Sequence, residues 1–333
     1  MIQKCLRFIL HCRLENVMAA GVSGLLLILF LTTRLFRSFD FGPLNFLFIL
    51  LPVGILGVKS LLSLLASSGT EAEENADTAK YLASFFRPLL KIVRDWFPFF
   101  LLTACYYSLY DSLALRINPH MADGFLSGID HLILGSQAAF LLEPWIRPWL
   151  TDFLNAVYFS HLLFFPAVAL YFYLAQKPQA FRRLMMGYLT IMLMGITSYL
   201  VLPAVGPAVY FDGQFARDLQ GRDFSKSVTY IIGVGRVGYD CFPSLHVGIP
   251  LLLSLYLRDY YKKLFIPTLV YVALMCFTTL YLRYHYLIDL IGAFAYAPAA
   301  YFLNDFLLRH WPGERAVELS TGIPAPDKIP VQA

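Results

Sequence analysis

Eight stretches of about 20 mostly apolar residues divide this chain, at 17–36, 43–66, 96–116, 152–175, 184–203, 243–258, 264–282 and 286–308. A helix needs about 20 such residues to cross roughly 30 Å of hydrocarbon. The pattern therefore predicts an all-α, polytopic membrane helix bundle of about eight transmembrane helices. The first stretch runs into Arg34 and Arg37 without a small-residue cleavage site and reads as a span, not a signal peptide. Apolar residues make up 58% of the chain and charged ones 14%, with a mean hydropathy of +0.62. Soluble domains sit near about 45–50% and 25%. The 29 phenylalanines and 21 tyrosines exclude a disordered chain. A net charge of +4 is too small to imply nucleic acid as a partner. Cys5, Cys12, Cys105, Cys241 and Cys276 form no CxxC pair, and no spacing resembles a zinc site.

Lys and Arg concentrate in segments 1–16, 67–95, 176–183, 258–263 and the tail. By the positive-inside rule both termini are expected in the cytoplasm. Residues 1–95 read as N-terminal spans plus a cytoplasmic amphipathic segment, 96–310 as a catalytic membrane bundle, and 311–333 as a flexible tail. Within 67–95, Leu82, Phe85, Phe86, Leu89 and Leu90 alternate with Arg87, Lys91 and Arg94, the spacing of a helix lying on the membrane surface or packed on its own bundle. Segment 119–150, with Trp145 and Trp149, reads as a second interfacial helix or re-entrant piece. Its Asp123, Asp130 and His131 are expected at the solvated surface.

Polar groups at a bilayer edge are expensive, so each is a candidate functional group. YDCFPSLHVG (239–248) places Ser244 and His246 at the start of the sixth span. LYLRYHYLIDLIG (280–292) places Arg283, His285 and Asp289 where the seventh span ends and the eighth begins. Spans six and seven form a hairpin, so His246 and His285 emerge on one membrane face. His285 and Asp289, four apart, share a face if both are helical, and the carboxylate then orients one ring nitrogen and frees the other as nucleophile or base. Blander roles stay open: a capping histidine, a buried ion pair between spans, an N-cap serine. Asp111 is a bundle hydrogen-bonding group or a headgroup contact. His161 bonds between helices or lines a cavity with Asn155 and Tyr158. GVGRVG (233–238) lacks the strand and helix of a dinucleotide site and reads as a loop.

Pro243-Ser244-Leu245-His246 followed by His285-Tyr286-Leu287-Ile288-Asp289 resembles the type-2 phosphatidic acid phosphatase superfamily, and more closely its inositol phosphorylceramide synthase branch. LPAVGPAVYF (202–211), GIDHLILG (128–135) and AVYFSHLLFFP (156–166) carry further likeness, over roughly 120–305. The resemblance implies lipid substrates with phosphate-containing headgroups, an outward-facing (periplasmic, extracellular or luminal) site, and neither metal nor cofactor. His285 would attack phosphorus, Asp289 would orient it, and His246 would act as acid then base. Ser244, Arg236 and Arg283 would hold the phosphate. Asp111, Asp130, Tyr210 and His161 are candidate headgroup contacts.

The phosphatase branch has cations in its first and third motifs where this chain has Tyr199, Gly206-Pro207 and Thr279, and glycine where it has Leu245. Fewer fixed cations suit a singly charged phosphodiester better than a monoester near two charges. Arg217, Arg222 and Lys226, in the outer loop, are placed to fold over the site. The expected function is transfer of a phosphate-linked headgroup, phosphoinositol being one candidate, between lipids through a phosphohistidine. The alternatives are a lipid phosphate or polyprenyl pyrophosphate phosphatase with the same residues, and a proton-coupled lipid transporter.

Overall fold

The computed structural model describes residues 14–15, 17–18, 21, 90–103, 106, 115–222, 225–226 and 238–311. The expected spans at 17–36 and 43–66, most of segment 67–95, part of the span at 96–116, and the tail from 312 fall outside the described residues. The described residues form helices joined by turns and loops, with no strand and one isolated parallel bridge between Ala204 and Asp240.

A helical stretch at 90–103 precedes eight helices: α1 (Asp123–Leu134), α2 (Ala138–Leu141), α3 (Pro148–Leu174), α4 (Pro178–Val201), the single turn α5 (Pro207–Tyr210), α6 (Leu245–Tyr260), α7 (Lys262–Tyr281) and α8 (Leu287–His310). Proline begins α3, α4 and α5, where a missing N–H costs nothing and its fixed φ suits the helix. Gly135 ends α1 in the left-handed conformation, donating its N–H to the His131 carbonyl.

Four of these helices, α3, α4, α7 and α8, are long and apolar enough to cross a membrane. The pair Asp123–Leu134 and Ala138–Trp145, bent by 53°, makes a fifth if counted as one span. The described residues thus carry four or five candidate spans, while three of the eight expected ones lie wholly or partly outside them. The expected span at 243–258 takes the form of α6, whose 16 residues rise about 24 Å. It runs down the centre of the bundle, packed by α3, α4, α7 and α8. Val247, Leu252, Leu253 and Tyr256 are buried on it, so its apolar character serves helix contacts more than lipid.

Lipid tails supply no hydrophobic drive between helices, so close packing has to come from small residues. Ala293, Ala297 and Ala300 form a buried row on α8. On α4, a Cβ at Gly187 would come 2.2 Å from the Tyr256 hydroxyl, and one at Gly195 would come 2.6 Å from Leu245. The side chains left outside, including Ile266, Val270, Phe302 and Phe306, form an apolar exterior that suits hydrocarbon.

At the end of the bundle remote from Ser244 and His285, one guanidinium ties three helices. Arg183 of α4 meets Asp305 of α8 at 2.7 and 2.5 Å, Asp259 of α6 at 2.7 Å and the Tyr301 hydroxyl at 2.9 Å. Asn304 donates to the Arg183 carbonyl and to Tyr256. Removing one member of such a network leaves uncompensated charge in a poorly hydrated place. Arg183→Leu is therefore expected to lower stability by on the order of 3 kcal/mol, read as a drop in thermal midpoint in detergent. An unchanged midpoint would show that the network is ornamental.

Candidate active site

The second histidine motif is built by the turn between α7 and α8. The helical geometry expected for it is corrected here: α7 stops at Tyr281, α8 starts at Leu287, and His285 lies on neither. Arg283 turns the chain with φ +64. The Thr279 carbonyl then accepts the N–H groups of Tyr284 (3.0 Å) and His285 (3.3 Å), folding the turn back onto the end of α7. Asp289 is the third residue of α8. Its Oδ2 accepts the N–H of Tyr286 (2.7 Å), which closes the helix start, and also meets His285 Nδ1 at 3.1 Å. The four-residue spacing works through a helix N-terminus, where a carboxylate is favoured by the exposed N–H groups.

The first motif is set by a backbone bond across the site. Ser244 N–H donates to the Asp289 carbonyl at 3.0 Å, joining the start of α6 to the start of α8. That register brings His246 Nδ1 to 3.2 Å from His285 Nε2. His246, His285 and Asp289 thus form one chain of contacts, buried except for part of His246. In the tautomer that donates Nδ1–H to this carboxylate, Nε2, the atom facing His246, keeps its lone pair. Tyr158 stacks on the His246 ring at 4.6 Å and His161 lies against it at 4.7 Å, both from α3. His161 Nδ1, Ser244 Oγ and Asp289 Oδ1 are buried with no hydrogen-bond partner among the described residues. Ser244 occupies the N-cap position of α6 but makes no side-chain cap bond.

Two carboxylates expected at the solvated surface are buried, which corrects that expectation. Asp123 and Asp130 sit seven apart, two turns of α1, on its inward face with Leu126. Asp130 accepts the N–H groups of Leu287 (2.7 Å) and Ile288 (2.9 Å), capping α8 from outside. Asp123 accepts Gly206 N–H (2.9 Å), Val205 N–H (3.0 Å) and the Tyr286 hydroxyl (2.9 Å). His131 is exposed, as expected. The heptad spacing of two acids on an otherwise apolar face was the sequence signal for this role.

The positions at which the phosphatase branch carries cations have other work here. The Tyr199 hydroxyl supports the Pro243 carbonyl at 2.9 Å. Gly206, at φ +81, lets the 202–207 loop approach the turn: a Cβ there would meet the Tyr284 carbonyl at 2.6 Å. The Arg283 guanidinium lies 3.7 Å over the Phe215 ring, 3.6 Å from Glu143, and donates to the Arg217 carbonyl. Tyr210 is 44% exposed on α5, beside Gly124 of α1. The outer loop is pinned to α3: Arg222 N–H and Ser225 Oγ donate to Asp152, and Asn155 donates to Ser225. Arg236 and Asp111 lie outside the described residues.

Cys241 comes close to the same carboxylate: its Sγ lies 3.0 Å from Asp289 Oδ2. Donor atoms of Cys241, His285 and Asp289 fall within 4.8 Å of one another, a group of three metal-ligating types. They are joined to each other by the hydrogen bonds just described.

A family model described as the PAP2 superfamily matches residues 129–303, which hold α3, α4, both histidine motifs and most of α8. The chain belongs to the PAP2 superfamily. Enzymes of this superfamily act on lipid phosphoesters as phosphatases or phosphotransferases. Over 100 residues the chain is also 30% identical to "Inositol phosphorylceramide synthase catalytic subunit aur1" of Schizosaccharomyces pombe (strain 972 / ATCC 24843). That match covers 30% of this chain and 22% of the relative. No solved structure matches the chain. Within this PAP2 bundle Gly206 lets the 202–207 loop pack closely against the histidine turn. Gly206→Ala is expected to strain a left-handed residue and push Tyr284 away, costing about 1–3 kcal/mol. The loss should appear in thermal unfolding; a wild-type midpoint would mean that the loop yields freely.

Proposed function

We propose that this protein is a membrane phosphotransferase that moves a phosphate-linked polar headgroup from one lipid to another through a phosphohistidine at His285. The observation that carries the reading is the contact order Asp289–His285–His246, with one imidazole oriented by a carboxylate and its free nitrogen 3.2 Å from a second imidazole.

In the first step His285 Nε2 bonds to phosphorus and the P–O bond to the donor lipid breaks. His246 gives a proton to the departing oxygen. The imidazole of a phosphohistidine is positive, and Asp289 at Nδ1 offsets that charge. In the second step His246 takes the proton of an acceptor hydroxyl, the new P–O bond forms, and His285 is released. The direct contact between the two rings opens to admit phosphorus. Ser244 Oγ, buried and without a partner, is available to a phosphoryl oxygen.

The neutral character of Tyr199, Gly206 and Thr279, together with the outward engagement of Arg283, favours a singly charged phosphodiester over a monoester. The identity shared with an inositol phosphorylceramide synthase subunit favours transfer over hydrolysis, and phosphoinositol as one headgroup to try first. Residues 96–310 are the proposed catalytic unit, enclosing the family match.

The site is assigned to the non-cytoplasmic face. Lys177, Arg182, Arg183, Arg258, Lys262 and Lys263 cluster where α3 meets α4 and α6 meets α7, at the end remote from the histidines. At 1.5 Å per residue α7 rises about 30 Å and α3 about 40 Å, from 20 and 27 residues. The start of α3 meets the end of α7, where the Tyr281 hydroxyl lies 2.9 Å from Thr151 Oγ1 and accepts the Arg147 N–H at 3.2 Å.

The test is incubation of purified protein with phosphatidylinositol or phosphatidic acid, with and without an N-acyl sphingoid alcohol, followed by mass spectrometry. A new phosphate-containing lipid should form only with the acceptor present, and His285→Ala and Asp289→Ala should reduce it by at least about a thousandfold. Release of inorganic phosphate from phosphatidic acid alone would replace transfer by hydrolysis. Full turnover in either variant would remove His285 from the mechanism.

A further inference from the structure

We propose that Cys241 is a positioning residue for Asp289, with its thiol donating a hydrogen bond that holds the carboxylate toward His285. The inference rests on the His285–Asp289 reading above and extends it to a side chain outside both histidine motifs.

Three groups converge on Asp289 Oδ2: Tyr286 N–H at 2.7 Å, His285 Nδ1 at 3.1 Å and Cys241 Sγ at 3.0 Å. The first is fixed by the helix start, and the second belongs to the reacting ring. The thiol is the third, arriving from the segment that leads into the first motif, two residues before Pro243. Cys241 is 3% exposed and Asp289 fully buried, so no bulk water competes for the carboxylate oxygen. Gly206 backs the sulfur, since a Cβ there would stand 3.2 Å from Sγ, and the Tyr284 carbonyl flanks it at 3.5 Å.

The thiol stays protonated in this setting. Burial pushes its pKa well above the ordinary thiol range, and the adjacent Asp289 charge pushes the same way. A protonated thiol is a donor and a poor nucleophile, which assigns Cys241 to orientation and leaves phosphorus chemistry to His285. Sulfur is also a weak donor. It fixes the carboxylate without drawing much of its charge, and that charge stays available to the imidazole as Nε2 bonds to phosphorus.

The experiment compares Cys241→Ala, Cys241→Ser and His285→Ala with the wild-type chain. Each is assayed on whichever phosphatidylinositol or phosphatidic acid reaction the wild type performs, with thermal unfolding in parallel. Cys241→Ala is expected to lower kcat about tenfold, with KM changed by less than about twofold and the unfolding midpoint retained. Cys241→Ser should restore most of the rate, because a hydroxyl reaches the same oxygen after a shift of a few tenths of an ångström. A wild-type kcat in Cys241→Ala, a loss confined to KM, or a serine variant no faster than alanine would overturn the inference. Full activity in His285→Ala would instead defeat the functional reading itself, so the two failures separate.

Discussion

Asp289 joins the two halves of the site through two different groups. Its carboxylate gathers the histidine turn, closing the start of α8 on Tyr286 N–H and orienting His285. Its backbone carbonyl accepts Ser244 N–H and so sets where α6 begins. The position of His246 relative to His285 follows from that second bond, because His246 is two residues along a rigid helix from Ser244. A carboxylate this deeply buried needs donors on every side that water has left. The fold supplies them to Oδ2 from a helix terminus, an imidazole and a thiol, and leaves Oδ1 without a partner among the described residues, so the site is assembled from helix ends, not helix faces.

Around this centre a second set of carboxylates does structural work. Asp130 caps α8 from α1, and Asp123 holds the 202–207 loop and the Tyr286 hydroxyl. Both stand on α1, and both serve N–H groups that would be orphaned near hydrocarbon, where no water can satisfy them. The amphipathic helix α1 is therefore a scaffold for the histidine turn as well as an interfacial element. Its outward residues Phe125, Leu132 and Ile133 stay exposed. The Arg183 network at the other end of the bundle plays the corresponding part, holding α4, α6 and α8 together where their polar ends meet. Between the two polar ends the packing rests on glycine and alanine. The bundle thus has two polar clamps and an apolar middle.

Apolar periodicity and length foretold α3, α4, α7 and α8 within a few residues, because spanning a bilayer is a constraint on composition and length that needs no tertiary partner. At 243–258 the same criteria marked α6, which the other helices surround. A short apolar stretch in the middle of a bundle carries the same composition as one in lipid, and only its neighbours tell them apart. The pairing of His246 with His285 was legible as well: a hairpin of two spans returns both motifs to one face. Helical spacing was the wrong reason for His285 meeting Asp289, since the chain there is a turn entering a helix.

What the sequence by itself determined is the chemistry available: two imidazoles, a carboxylate and an apolar scaffold with few cations near them. Residue identity fixes donors, acceptors and hydropathy, and spans return motifs to a known face. What only the tertiary structure decided is which groups serve structure and which stay open to a ligand. Asp123 and Asp130 went inward, Arg283 turned toward Phe215 and Glu143, Cys241 came to Asp289, and Ser244 Oγ stayed unpaired. Those outcomes depend on contacts such as Cys241 with Asp289 and Tyr286 with Asp123, 48 and 163 residues apart. Such bonds arise from how the helices pack, and no local pattern along the chain encodes their partners.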